Sequence, residues 1–180
     1  MIMSKFFLYF KYFSLYLKQF DLQLLRINMI NKQNPTENLG TIINVVSRMM
    51  INDLNKRFQK AGFSITVEQW VVLMILWKKE GQTQQELADA LFKNKATMTS
   101  IIDNLEKNNL VVRISDKADR RANMIHLTYE GKQLKSTLIE IAQESLKEAL
   151  TGIDTNDYEI CKSVLKQIAK NISSNTEIKS

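Results

Sequence analysis

Residues 114–128 read ISDKADRRANMIHLT, and the reading of this stretch decides the fold. Val112 and Ile114 precede its charges, and Ile125 and Leu127 follow them, in the period-two alternation of half-buried strands. Between them stand Asp116, Lys117, Asp119, Arg120 and Arg121. The pattern predicts a hairpin with an ionic tip and with its apolar positions, Val112 and Ile114 among them, on the covered side. A long charged hairpin in an otherwise helical chain needs a reason.

The chain has 180 residues, 44% of them hydrophobic, enough for one domain with a real core. Five glycines and one proline argue against a turn-rich all-β fold. A single cysteine, Cys161, excludes an internal disulfide and fits a cytoplasmic protein, and no zinc-type spacing occurs. A net charge of +6 is compatible with an anionic partner but is too mild to name one.

Residues 1–30 are atypical, with eight of the fifteen aromatics in the first twenty positions. Lys11 and Lys18 interrupt every apolar run before it reaches the roughly 20 residues of a membrane span. Three readings stay open: an extra helix packing on a partner, a segment translated upstream of a start at Met29, and an interfacial membrane helix. No function is assigned to it.

The remainder reads as six helices and the hairpin. Asn34, Pro35 and Glu37 open a helix carrying Leu39, Ile42, Ile43, Val46, Met50, Leu54 and Phe58, closed by Gly62. Thr66 with Gln69 opens a second, with Val67, Trp70, Val71, Met74 and Trp77 as its expected inner face and Gly81 beyond it. Thr83 with Glu86 starts a short helix containing Leu87, Ala88 and Leu91. Asn94 caps the next, whose buried stripe is Met98, Ile101, Ile102 and Leu105, and Asn109 takes the left-handed exit. Thr128 caps one long helix with Leu134, Leu138, Ile141, Leu146 and Leu150, broken by Gly152. The last sets Tyr158, Cys161, Leu165, Ile168 and Ile172 on one side.

Helices 83–92 and 94–108 are nearly contiguous, which is helix-turn-helix spacing. Opposite its buried stripe the second presents Ala96, Ser100, Asp103 and Lys107, flanked by Thr97, Thr99 and Asn104. At its N-terminal end Lys93, Lys95, Thr97, Thr99 and Ser100 suit phosphates and base edges. Asp103 would be repelled by phosphate, which confines contact to the first two turns. The hairpin then has its reason: a wing that carries Lys117, Arg120 and Arg121 to DNA, with Asp116 and Asp119 pairing with arginines to stiffen the tip.

TMTSIIDNLEKNNLVVR at 97–113 and SDKADRRANMIHLTYEGKQL at 115–134 together resemble the MarR family, the multiple-antibiotic-resistance type of winged-helix regulator. The resemblance covers about residues 36–172. It implies a mainly α fold with a small β-wing, in which a winged helix-turn-helix domain (64–128) is flanked by N- and C-terminal dimerisation helices (34–60 and 129–173). It further implies a homodimer on a pseudo-palindromic operator in double-stranded DNA, acting as a repressor relieved by a small aromatic or phenolic effector. Three departures are visible: Ser100 and Ala118 stand where the family favours arginine, and Asn109 where it favours glycine.

Catalysis is not expected. His126 is the only histidine and reads as structural or surface; Cys161 sits on an apolar stripe and reads as core. No phosphate loop, metal cluster or nucleophile–base pair is present, and no cofactor is implied. Trp70 and Trp77 read as core, with an effector pocket as the other reading. A winged helix that binds protein instead of DNA is the competing function.

Overall fold

The computed structural model describes residues 35–115 and 123–177, with side chains described for 39–115 and 123–174. Asn34, the Glu37 side chain, residues 1–30 and the whole wing tip lie outside these. The element order is α1 (Pro35–Lys60), α2 (Val67–Lys78), β1 (Gln82–Thr83), α3 (Gln84–Ala90), α4 (Lys95–Lys107), β2 (Val111–Ser115), β3 (Asn123–Leu127), α5 (Tyr129–Gln133), α6 (Lys135–Ala149) and α7 (Thr155–Glu177). Two compact units divide the chain, Met1–Met49 and Met50–Ser180.

In the first unit, Leu39, Ile43, Val46 and Met49 on the opening turns of α1 are exposed. The second unit holds the core: Leu54 and Phe58 from α1, then Val72, Leu73, Leu76, Leu87, Met98, Ile102, Leu105, Val111, Ile125 and Leu138. The capping boxes at Thr66–Gln69 and Thr83–Glu86 both form, so each helix begins where its side chains satisfy the free N–H groups. Asn109 takes φ +57, the left-handed exit its side chain tolerates.

The sheet is three-stranded and antiparallel in the order β1-β3-β2. Val111 pairs with Leu127 and Arg113 with Ile125. The two-residue β1, pairing Gln82 with Ile125, was not foreseen, because two polar residues carry no period.

Four expectations are corrected. Val112 and Ile114 lie on the outer face of the hairpin, 38% and 49% exposed, while Val111, Ile125 and Leu127 face the core. Val111 and Val112 are both apolar, so alternation alone left the phase of β2 open. In α2 the fully buried positions are Val72, Leu73 and Leu76, with Gln69; Val67, Trp70, Val71, Met74 and Trp77 are only half-buried. That helix is apolar almost all round, and periodicity cannot select one face of such a helix. The single helix expected after Thr128 is two, α5 and α6, meeting at Leu134. This residue stays helical at φ −69, ψ −14, donating to the Glu130 carbonyl and accepting from Leu138 N–H. Finally, Cys161 is exposed, because α7 packs its apolar side against no other part of the described chain closely enough to bury it.

Candidate nucleic-acid interface

Helix α4 is placed by its two ends and its inner face. At the start, Asn94 Oδ1 accepts from Thr97 N–H at 2.8 Å. Met98, Ile101, Ile102 and Leu105 anchor it in the core. Lys95, Ala96, Ser100, Asp103, Asn104 and Lys107 are exposed on the other side, with Lys95 and Ala96 at the helix N-terminus, whose free N–H groups favour a phosphate.

The expected contact residues divide. Lys95 and Ser100 are exposed, and no ion pair of Lys95 occurs among the described residues. Thr97 is half-buried. Thr99 turns to the preceding helix: its hydroxyl accepts from Gln84 Nε2 and donates to the Lys95 carbonyl at 2.9 Å. Thr99 thus ties α3 to α4. Lys93 is paired with Glu68 at the start of α2. Lys117, Arg120, Arg121, Asp116 and Asp119 lie outside the described residues.

Sequence reasoning missed Arg113. From β2 its guanidinium reaches Asp103 at 2.6 Å and is also paired with Glu106, both on α4, while its own N–H donates to Glu106 Oε1 at 3.2 Å. The helix and the base of the wing are thereby fixed to one another through charge-assisted hydrogen bonds. The same pair answers the concern over Asp103, whose charge is matched by an arginine.

A second joint explains LTYEG. The Thr128 hydroxyl donates to the Asn109 carbonyl at 2.7 Å and accepts from Gly131 N–H at 3.0 Å, capping α5. A Cβ on Gly131 would stand 2.1 Å from the Leu110 carbonyl oxygen. Only glycine lets α5 come this close to the exit of α4. Trp77 Nε1 donates to the Gly131 carbonyl at 2.9 Å, which gives that tryptophan a structural task.

Glu80 is a third. It accepts from Leu127 N–H at 3.2 Å and pairs with Lys132 at 2.9 Å, with His126 Nδ1 3.7 Å away. Burial pushes its carboxyl up, but Lys132, the Leu127 N–H and the nearby positive charge together outweigh that and hold it below its ordinary value.

The fold and this outward helix match known proteins. The sequence pattern of the MarR family matches residues 65–122. The uncharacterised helix-turn-helix transcriptional regulator YsmB of Bacillus subtilis is 34% identical over 105 residues, 58% of this chain and 72% of that one. The chain belongs to the MarR family. A MarR regulator of Methanosarcina mazei Go1 has the same fold, with TM-score 0.68 and 27% identity over 76% of this chain and 98% of that one. The repressor CouR, solved on a 23-mer DNA duplex, shares the fold at TM-score 0.68 and 24% identity, covering 74% of this chain and 94% of that one.

This MarR-family chain is therefore a winged helix-turn-helix, DNA-binding transcriptional regulator. No helix among its described residues is long and apolar enough to cross a membrane. Trp70 rests on Phe58, ring centroids 6.0 Å apart and tilted by 57°. Its Nε1 is buried with no hydrogen-bond partner among the described residues. An open cleft of about 480 Å³ beside α6 is lined by Arg57, Lys60, Glu140 and Glu144 with Ala61 and Ile141.

Proposed function

We propose that this MarR-family regulator is a cytoplasmic homodimeric repressor reading a pseudo-palindromic operator. In this reading α4 enters the major groove, led by Lys95 and Ser100 with Thr97 beside them, and the wing brings Lys117, Arg120 and Arg121 to the adjacent minor groove. Lys93 and Thr99 act behind them, Lys93 through Glu68 and Thr99 through Gln84. Asp116 and Asp119 stiffen the tip. The observation that carries the reading is the exposed amino end of α4, capped by Asn94 and tied to α3 through Thr99, on a helix whose later turns Arg113 joins to β2.

Dimerisation is supported by α7, where Ile160, Val164 and Leu165 are 53%, 51% and 42% exposed along one helix. A lone chain leaves those side chains in water, at a cost that burial against a second copy removes. Relief by a phenolic effector has a candidate donor in Trp70 Nε1, which has no partner among the described residues, since a phenol oxygen accepts such a bond. The dimerisation helices are taken as 34–60 and 129–173, with 64–128 between them as the DNA-binding part.

The test is binding of the purified full chain to DNA upstream of its own gene, against a scrambled fragment, at two salt concentrations. Sequence-selective binding by a dimer that weakens steeply with salt is expected, because released counterions set the slope. Equal weak binding to both fragments would overturn operator recognition and favour a protein partner.

A further inference from the structure

Phe92 stands out among the apolar side chains. It lies in the turn between α3 and α4, two residues before the Asn94 cap, and is 92% exposed. Among the described residues the next most exposed large apolar side chain, Tyr129, is at 73% and keeps a polar tip. Isolated surface leucines and valines are ordinary, but a phenyl ring with nearly its full area in water is not.

The backbone compounds this. Phe92 holds φ +50, the left-handed region that a side chain bearing a Cβ disfavours and that glycine fills freely. Phe92 N–H donates to the Asp89 carbonyl at 3.2 Å and Lys93 N–H to the Ala88 carbonyl at 2.9 Å, so the turn is fixed by its hydrogen bonds. Glycine would serve the turn better on both counts. The folded chain gains nothing from this ring.

We propose that Phe92 is a DNA-contacting residue, packing its ring on the sugar edge or a thymine methyl beside the α4 amino end. The inference rests on the operator-binding reading above. Its support is position: Phe92 precedes Lys93 and Lys95 at an electropositive helix end, where a duplex docked on α4 brings its backbone and groove rim. An apolar ring there adds area without charge, where Ser100 offers a short side chain for a long one. The held turn supplies pre-organisation, so the contact costs little ordering.

The experiment compares the wild-type chain, Phe92→Gly and Phe92→Leu in operator titrations across a salt series, with thermal melting in parallel. Phe92→Gly is expected to melt at or above the wild-type temperature yet bind roughly ten-fold more weakly, the size of one lost ring contact with nucleic acid. Its salt slope should match wild type, because no phosphate contact is lost. Phe92→Leu should fall between the two. Wild-type and Phe92→Gly affinities within two-fold of each other would overturn the role of Phe92 and leave the regulator intact. A wild-type chain that does not select the operator at all would overturn both.

Discussion

Arg113→Ala separates the geometry of the interface from the stability of the fold. The Arg113 side chain is 21% exposed, and those of its two partners, Asp103 and Glu106, are 57% and 40% exposed. Pairs this open are screened, so each contributes at most about 1 kcal/mol and the substitution should cost roughly 1–2 kcal/mol in all. For a chain of this size that lowers Tm by roughly 2–8 °C. DNA affinity should suffer more, because Asp103 then faces the phosphates unneutralised. Taking a separation of about 6 Å and an effective dielectric between about 20 and 80 gives a repulsion of roughly 0.7–2.8 kcal/mol per half-site, a three- to hundred-fold loss. Fluorescence anisotropy on labelled operator reads the loss, and circular dichroism melting reads the stability. Asp103→Asn in the Arg113→Ala background should restore most of the affinity while leaving Tm low. Affinity unchanged in Arg113→Ala, or unrescued in the double variant, would refute the assignment of Arg113 as the residue that positions helix against wing and shields Asp103.

Gly131→Ala should destabilise by about 3 kcal/mol or more, since the new methyl meets backbone oxygen and cannot be relieved by rotamer change; denaturant midpoints measure it. Acid should unfold the protein through its held carboxylates. Glu80 and Glu86 sit below their ordinary value of 4.5, so the folded state binds their protons less tightly than the unfolded state does. Their contribution is complete above about pH 5 and disappears as pH falls through the lower folded-state values. Glu80→Gln should accordingly show a shallower fall in Tm between pH 6 and pH 3. Arg120→Ala should weaken operator binding and reduce the salt slope by about one unit per half-site without dissociating the dimer; unchanged binding would refute the wing contact.

Local chemistry was legible in this sequence, and contact made at a distance was not. Thr66, Thr83, Asn94 and Thr128 each bind an N–H three residues on, so their helices start where the residue types place them. The stripe of α4 was readable because Met98, Ile101, Ile102 and Leu105 contrast with polar neighbours. Helix α2 lacks that contrast, and its buried face is set by what surrounds it. Arg113 ends a quoted motif, yet its partners lie seven and ten residues away on another element, a distance periodicity does not span. Lys93 and Thr99 looked like contact residues because their types fit, whereas Glu68 and Gln84 had already engaged them. The Phe92 conformation left a trace in retrospect: the turn between α3 and α4 is tight enough to require positive φ, yet it contains no glycine.

The clearance at Gly131 also constrains how this gene can change. Each single-base change that replaces a glycine codon with another amino acid introduces a Cβ, and the first atom of any side chain already collides with the Leu110 carbonyl. Saturation mutagenesis should find codon 131 intolerant of substitution, while the exposed Glu130 beside it accepts replacements freely. The joint between the reading helix and the rest of the molecule is thus inherited as a fixed point around which the DNA-facing residues are free to diverge.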